Sequence, residues 1–471
     1  MKDRKAVIVA DLGYGDSGKG ITIDTLARTH DAHTVVRYNG GAQAGHTVVA
    51  PDGRTHTFSQ FGSATFVPNT ATYLSSYMLI DPAAIINEET YLARLRVHGA
   101  LTRHFIHRDA KVVTLYAKLI NKLRERLRGD GRHGSCGMGI GETVRFALHH
   151  PKEAILMSDL DNDSAQSLRN KLVFQREYTD TLIKELRAGS NTFSELDAEW
   201  QELLSDNYID ATVSQYATIA SQLQIVDEKW EKKLFKKEGT ILFEGAQGVL
   251  LDERYGFHPF TTWSDTTYRN ADEMLLHHEF RGEVKRLGVL RAYSVRHGAG
   301  PFITEDRELS ESLPDSHNVF GDWQREFRVG WFDAVASRYA LKVSRGTDAL
   351  AITNIDRLVP LQKWKIATSY KGSTHTMRHL SQLPYNRDGL CRDIIPAPVD
   401  EGEMNGNLAK ELLKAAPSYE TLDLSASFLD EVKSGETALI SKIEEELATP
   451  VALLGFGPSS NERYWRKPLF S

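Results

Sequence analysis

Cysteine is nearly absent: Cys136 and Cys391 are the only two in 471 residues, far apart and outside any C-x-x-C pattern. That excludes a disulfide framework and leaves no zinc knuckle. No stretch approaches about 18 consecutive apolar residues, which removes a membrane-spanning helix. Neither sign of charge dominates, with 57 Lys and Arg against 63 Asp and Glu and a net charge of −6. This mildly acidic balance, pI ≈ 6.3, gives no footing for bulk nucleic-acid binding. Internal repeats, low-complexity tracts and Pro- or Ser-rich linkers are missing as well. The opening run MKDRKAVIVADLGYGDSGKG enters a strand-like segment without a small-residue cleavage site, so a cytoplasmic chain with no secretory leader is expected.

What is present is an average globular composition, 41% hydrophobic and 25% charged, long enough for a large core. Apolar runs of strand length alternate with longer helical stretches. Strands are expected at Ala6–Val9, His33–Tyr38, Thr240–Glu244, Gly288–Tyr293, Ala349–Asn354 and Val451–Leu454. Val48–Phe58 is broken at Asp52-Gly53, a hairpin signal. Pro82–His98 reads as a helix, with Asp81 as N-cap and Pro82 at its first position. Ser164–Arg187 and Phe193–Leu204 are amphipathic helices, and Asn207–Lys237 continues that character. Helices between fully apolar strands predict an α/β fold with a large, mainly parallel central sheet. The expected organisation is one elaborated domain over 1–471, with a helical excursion at about 160–237.

The strongest chemical signal is Gly13-Tyr14-Gly15-Asp16-Ser17-Gly18-Lys19-Gly20, which follows a strand and opens a helix. Its G-x4-G-K spacing is that of a phosphate-binding loop. Gly15, Gly18 and Gly20 let backbone amides approach phosphate oxygens, and Lys19 adds a point charge. Gly20 stands where a nucleoside-triphosphate loop carries the Ser or Thr that holds Mg²⁺. Asp16 is equally unusual, because a carboxylate repels phosphate unless it binds a cation or removes a proton. The alternative is an ordinary strand-to-helix glycine turn. A second block, Asn39-Gly40-Gly41-Ala42-Gln43-Ala44-Gly45-His46-Thr47-Val48, forms a glycine-rich cradle with His46 just before a strand.

These two blocks, in this order, resemble the N-terminal signature of the adenylosuccinate synthetase family. The resemblance continues through Leu242–Asp252 (LFEGAQGVLLD) and Tyr255–Thr267 (YGFHPFTTWSDTT). It extends to Ala292–Glu305 (AYSVRHGAGPFITE), Gly330–Tyr339 (GWFDAVASRY), Thr353–Asp356 (TNID) and Gly455–Pro458 (GFGP). It implies a homodimeric, Mg²⁺- and GTP-dependent ligase, with small-molecule substrates and no nucleic-acid or membrane partner. GTP would phosphorylate the O6 of IMP, and the amine of L-aspartate would displace that phosphate, giving adenylosuccinate, GDP and phosphate.

On this resemblance Asp16 is the base that takes the purine N1 proton and also a Mg²⁺ ligand, with Gly45 adding its carbonyl. His46 would stabilise charge at O6 and the γ-phosphate, and Lys19 the developing phosphoryl charge. Gln43, Gln247 and Thr262 fall on contacts to IMP; for Gln247 and Thr262 the alternative is bonding within their own loop. Arg296 maps onto the arginine that holds aspartate and nucleotide, and its guanidinium could grip a carboxylate bidentately. Asp356 maps onto the guanine reader, accepting from the N1–H and N2 amino edge that adenine lacks. Asn354, Gly457 and Pro458 would close around that base.

Several positions depart from the family pattern. Ser17 replaces a Glu, Val295 a Thr and Asn354 a Lys. Ser135-Cys136-Gly137-Met138-Gly139-Ile140-Gly141 stands for T-T-G-R-G-I-G, so a nucleotide-phosphate hydroxyl contact falls on Cys136, with Ser135 beside it. The arginine that reaches the partner subunit's IMP has no clear equivalent: the ungapped position is His150 and the nearest arginine Arg145. These changes leave open a paralogous ligase acting on another 6-oxopurine nucleotide, such as dGMP, or on another amine. A non-catalytic purine-nucleotide-binding protein is a further alternative, and a generic phosphate-loop ATPase or kinase is disfavoured by Gly20 and Asp356. Two other features suggest less. The basic stretch Lys118–Arg132 reads as an amphipathic surface helix rather than a polyanion site. His149-His150 and His277-His278 lack the i, i+4 spacing of helical zinc ligands.

Overall fold

The computed structural model describes residues 4–187, 194–315, 326–381, 389–396, 402–434 and 437–470. Its centre is a ten-stranded sheet. From one edge the order is Arg463–Trp465, Val451–Gly455, Ala349–Thr353, Glu283–Arg291, Arg4–Asp11, Gly239–Glu244, Ala32–Arg37, Ala71–Leu74, His104–His107 and Gln224–Val226. Every neighbouring pair is parallel except the antiparallel strand Arg463–Trp465 at one edge. Arg4–Asp11 is in the middle, with Val7 in register with Leu242 on one side and Lys285 on the other. Its Ala6–Ala10 segment is covered on both faces, which is why it reads as unbroken apolar sequence.

The expected strands form, as does the hairpin His46–Val49/Thr55–Phe58, turned by Gly53 at φ 85°. Asp81 caps the helix Pro82–Arg94 by accepting from the Ala84 amide at 3.2 Å. The helix Ala165–Arg187 forms as read, and the next runs Ser194–Leu203; Phe193, expected to open it, lies outside the described residues.

The continuous helical reading of Asn207–Lys237 is corrected. A helix over Asp206–Ala220 gives way to the strand Gln224–Val226, which pairs with His104–His107, and a short helix follows at Glu228–Leu234. The excursion therefore returns to complete the sheet edge. The basic stretch forms the helix Leu115–Leu127, whose Leu119, Ile120 and Leu123 are buried. Its charges are tied down: Lys118 to Asp81 at 2.5 Å, Lys122 to Glu199 at 3.2 Å and Arg124 to Glu142 at 3.1 Å.

This topology gathers the suspected loops. Those after Asp11, Arg37, Glu244, Arg291, Thr353 and Gly455 all leave the carboxyl ends of parallel strands, so they lie on one rim of the sheet, where α/β proteins bind ligands.

Candidate active site

Asp11 ends the central strand with its side chain fully buried. Its Oδ1 accepts from the amides of Gly13 (2.8 Å) and Gly15 (3.4 Å), and its Oδ2 from the Ser17 amide (2.9 Å) and Lys19 Nζ (3.0 Å). The point charge expected at Lys19 is thus paired with Asp11 in this structure. The Lys19 side chain is 3% exposed, and a buried ammonium requires a counter-charge. Asp16 projects from the crest of the loop in the left-handed region, φ 58°. Its carbonyl accepts from Arg291 Nε at 2.6 Å, and its half-exposed carboxylate has Oδ2 at 3.4 Å from His297 Nε2. Gly248 supports the loop from behind, and a Cβ there would meet Gly13 O at 2.2 Å and Gly15 N at 2.3 Å.

The helix Lys19–Thr29 then begins from Gly18, which has no capping side chain, so its first-turn amides are available to an anion. A Cβ on Gly20 would lie 2.9 Å from His46 Cβ. Gly20 is thus the price of seating His46 directly against the phosphate loop. His46 is buried, and its Nδ1 is 2.5 Å from Glu244 Oε1. Glu244 also accepts from Ser63, through the amide at 3.0 Å and through the hydroxyl. Burial alone would raise the Glu244 carboxyl, but Arg37, His46 and Ser63 outweigh it and hold it at about 2. Burial lowers His46 below the ordinary histidine value despite Glu244, with Arg37 and Lys19 adding to the effect. At neutral pH the pair is therefore a carboxylate and a neutral imidazole whose Nδ1–H donates to Glu244. Asp11, Glu244, Arg37 and Ser63 were not among the expected site residues. Asp11, Glu244 and Arg37 carried a signal, since each is a charge at the carboxyl end of a strand directly after a run of apolar residues.

Asn39 joins the glycine-rich cradle to the Leu242–Asp252 segment: its Nδ2 donates to Ala246 O at 3.0 Å and its Oδ1 accepts from the Ala246 amide at 2.7 Å. Beside this clamp, both amide atoms of Gln43 and Oε1 of Gln247 are buried with no hydrogen-bond partner among the described residues. Gln247 is held at φ 58°, against Gly40. Buried polar atoms left unpaired are costly, so these amides have capacity for further hydrogen bonds. Thr262 is pinned through its amide to Leu251 O at 2.8 Å, and its side chain is half-buried.

The loop Ser135–Gly139 packs close by. A Cβ on Gly134 would touch Ala299 N at 3.3 Å, and one on Gly141 would strike Trp263, next to Thr262, at 2.7 Å. The Ser135 hydroxyl donates to Asn121 Oδ1 at 2.9 Å, so it braces the loop. Cys136 is half-buried, and burial pushes its thiol up, away from a reactive thiolate.

Arg296, expected to hold aspartate and nucleotide, is buried within its own loop. Its guanidinium donates to Ala299 O (3.1 Å), Pro301 O (2.8 Å) and Phe260 O (3.5 Å) and lies 4.3 Å over the Tyr14 ring. It is 1% exposed, and burial brings it down to about 10. In this arrangement its donors brace its own loop and the neighbouring Phe260 backbone. Of the two candidates for the subunit-crossing arginine, His150 is caged by Phe146, Phe174 and Tyr178. Arg145 instead lies 5.0 Å over Trp263.

At the far end of the rim, Asn354 (φ 56°) opens the turn that carries half-buried Asp356. Burial raises that carboxyl, with Arg357 and Arg463 opposing. Gly457 faces the Glu462 carboxylate, which a Cβ would meet at 2.3 Å, and its carbonyl accepts from Arg463 Nη1 at 2.6 Å. Exposed Pro458 follows, and a bridge between Val49 and Ser459 ties this turn to the His46 hairpin.

Among the described residues no group of three or more His, Cys, Asp or Glu could hold a metal alone. The expected oxygen donors, the Asp16 carboxylate and the Gly45 carbonyl, belong to a half-exposed and an exposed residue. That sparse, hard-oxygen set suits Mg²⁺, which takes most of its ligands from phosphate and water.

Comparison with known proteins agrees with this architecture. The family model described as adenylosuccinate synthetase matches residues 8–464. The adenylosuccinate synthetase of Microcystis aeruginosa is 34% identical over 382 residues, 79% of each chain. Among solved structures, fully ligated adenylosuccinate synthetase from Plasmodium falciparum superposes with a TM-score of 0.77 at 22% identity, over 98% of this chain and 99% of that one. The succinoaminodeoxyadenylate synthetase of cyanophage S-2L, bound to dGMP and dATP as an energy donor, gives a TM-score of 0.54 at 15% identity over 99% and 97%.

Proposed function

The chain belongs to the adenylosuccinate synthetase family, and from that premise we propose that it is a GTP-dependent ligase joining IMP to L-aspartate through 6-phosphoryl-IMP. One observation carries the reading: the loop that exposes Asp16 is the loop against which His46, braced by Glu244, is packed. A 6-oxopurine oxygen is a poor nucleophile until N1 loses its proton. Asp16 would take that proton, and the freed electron density lets O6 attack the γ-phosphorus of GTP. The first-turn amides of Lys19–Thr29 would receive the phosphates. His46, with its Nδ1–H fixed on Glu244, would turn Nε2 toward the transfer; the triphosphate anion bound beside it would favour uptake of a proton from solvent at Nε2, and the imidazolium so formed, stabilised by Glu244, would donate to a phosphoryl oxygen. The aspartate amine then attacks C6, phosphate leaves, and adenylosuccinate forms.

Gln43, Gln247 and Thr262 would hold IMP, and Arg145 is better placed than His150 to meet its phosphate. Asp356, Asn354, Gly457 and Pro458 would enclose guanine. Asp16 and the Gly45 carbonyl would hold Mg²⁺, which when bound neutralises charge on the triphosphate. No helix among the described residues is long and apolar enough to cross a membrane. We assign a homodimer in the cytoplasm on family grounds.

The test is to supply purified protein with GTP, Mg²⁺ and aspartate, and then IMP, dIMP, GMP or dGMP in turn. Adenylosuccinate from IMP, with stoichiometric GDP, is expected. Succinylated product from dGMP alone would install the paralogous reading, and no turnover with any nucleotide would overturn the ligase. Asp356→Asn should erode the preference for GTP over ATP by about tenfold or more, since one donor pair loses its acceptor; an unchanged preference would remove Asp356 from base recognition.

A further inference from the structure

Four donors of the phosphate loop converge on one internal carboxylate. Gly13, Gly15 and Ser17 amides and Lys19 Nζ all point at Asp11, at 2.8 to 3.4 Å. Asp11 is fully buried, and its backbone is fixed in the central strand opposite Val289. The usual arrangement leaves such donors to the bound phosphate. Here they are satisfied before any nucleotide arrives, and the acidic partner comes from beneath the loop, while Ser17 occupies the place of the family's Glu.

Two consequences follow from the geometry. The loop is held in shape without a ligand, because three of its amides are anchored to a rigid strand end. Lys19 is also neutralised and shielded, so it has little to offer a ground-state triphosphate. Its ammonium becomes valuable only when charge builds on the transferring phosphoryl group, enough to draw it from Asp11. Asp11 remains satisfied by the three amides when the lysine leaves.

We propose that Asp11 is a positioning residue that withholds Lys19 from bound nucleotide and releases it to the phosphoryl group in flight, converting ground-state affinity into rate. The inference rests on assigning the loop to the triphosphate of GTP.

It predicts an unusual kinetic split. In Asp11→Asn the lysine loses its counter-charge and is free to bind resting phosphate. The dissociation constant for a non-hydrolysable GTP analogue, measured by calorimetry, should fall about tenfold, while kcat also falls about tenfold or more. A residue that merely shaped the loop would do the opposite to affinity. Lys19→Met, which leaves the three amide bonds to Asp11 in place, should keep analogue affinity within about twofold of wild type and lose kcat. Loosened analogue binding in Lys19→Met, or no tightening in a folded Asp11→Asn, would overturn the inference and leave the ligase assignment standing. Wild-type protein that bound no analogue at all would overturn both.

Discussion

At the residue scale the site is built from charges held where burial should forbid them. Asp11, Glu244 and Arg37 are each fully buried: Asp11 is compensated by Lys19 and three amides, Glu244 by His46, Ser63 and the nearby Arg37 charge, while Arg37 donates through Nη1 to the Ser59 and Phe61 carbonyls. Asp16 is different, half-exposed at the crest of its loop. Asp16→Asn keeps the size of the side chain and removes the base, so product formation should drop about 10²- to 10⁴-fold while the thermal unfolding midpoint is kept. A variant near the wild-type rate would mean the base lies elsewhere.

Glu244 makes a second prediction, about acid stability. Its folded value, about 2, lies below the ordinary 4.5, so the unfolded chain takes up the proton first as pH falls. Its contribution is complete above about pH 4.5 and is lost between about 4.5 and 2, roughly 3 kcal/mol in all. Urea unfolding of wild type and Glu244→Gln across that window should show a steeper acid loss in wild type. Parallel curves would show that Glu244 is not held ionised.

At the scale of elements, the site is a property of loops held by one another. Strand identity was legible because a buried parallel strand is continuously apolar, as in Ala6–Val9 or Val451–Leu454. The strands Ala71–Leu74, His104–His107 and Gln224–Val226 were not, being short and carrying polar residues. Gln224–Val226 borrows its pairing from His104–His107, more than a hundred residues earlier, and no local pattern shows that. The loops lean on close approaches that only glycine permits. Gly248→Ala puts a methyl group into the backbone of Gly13 and Gly15, so it should cut kcat/KM at least about tenfold while leaving the unfolding midpoint within a few degrees. An active Gly248→Ala enzyme would show that the loop tolerates displacement.

At the scale of the whole molecule, one rim collects residues from Asp11 to Pro458, nearly the full chain. The proposed dimer adds a further layer. If Arg145 serves the neighbouring subunit, an equal mixture of inactive Arg145→Ala and Asp16→Asn protomers should regain about a quarter of wild-type activity, since half the dimers carry one intact site. A mixture as inactive as its components would confine Arg145 to its own subunit.

Sequence by itself determined the reaction-bearing vocabulary: a glycine loop containing Asp16, a glycine cradle ending in His46, and an α/β alternation that places both at strand ends. These are short-range statements, written in spacing and residue type. The partners of each charge were decided only by the tertiary structure. Nothing local says that Lys19 turns inward to Asp11, that Arg296 spends its donors on Ala299, Pro301 and Phe260, or that Glu244 reaches back to His46 across 198 positions. A buried charge takes the nearest compensating group in space: for Lys19 and Arg296 the fold of their own loops mainly decides which group that is, and for Glu244 the order of strands in the sheet does.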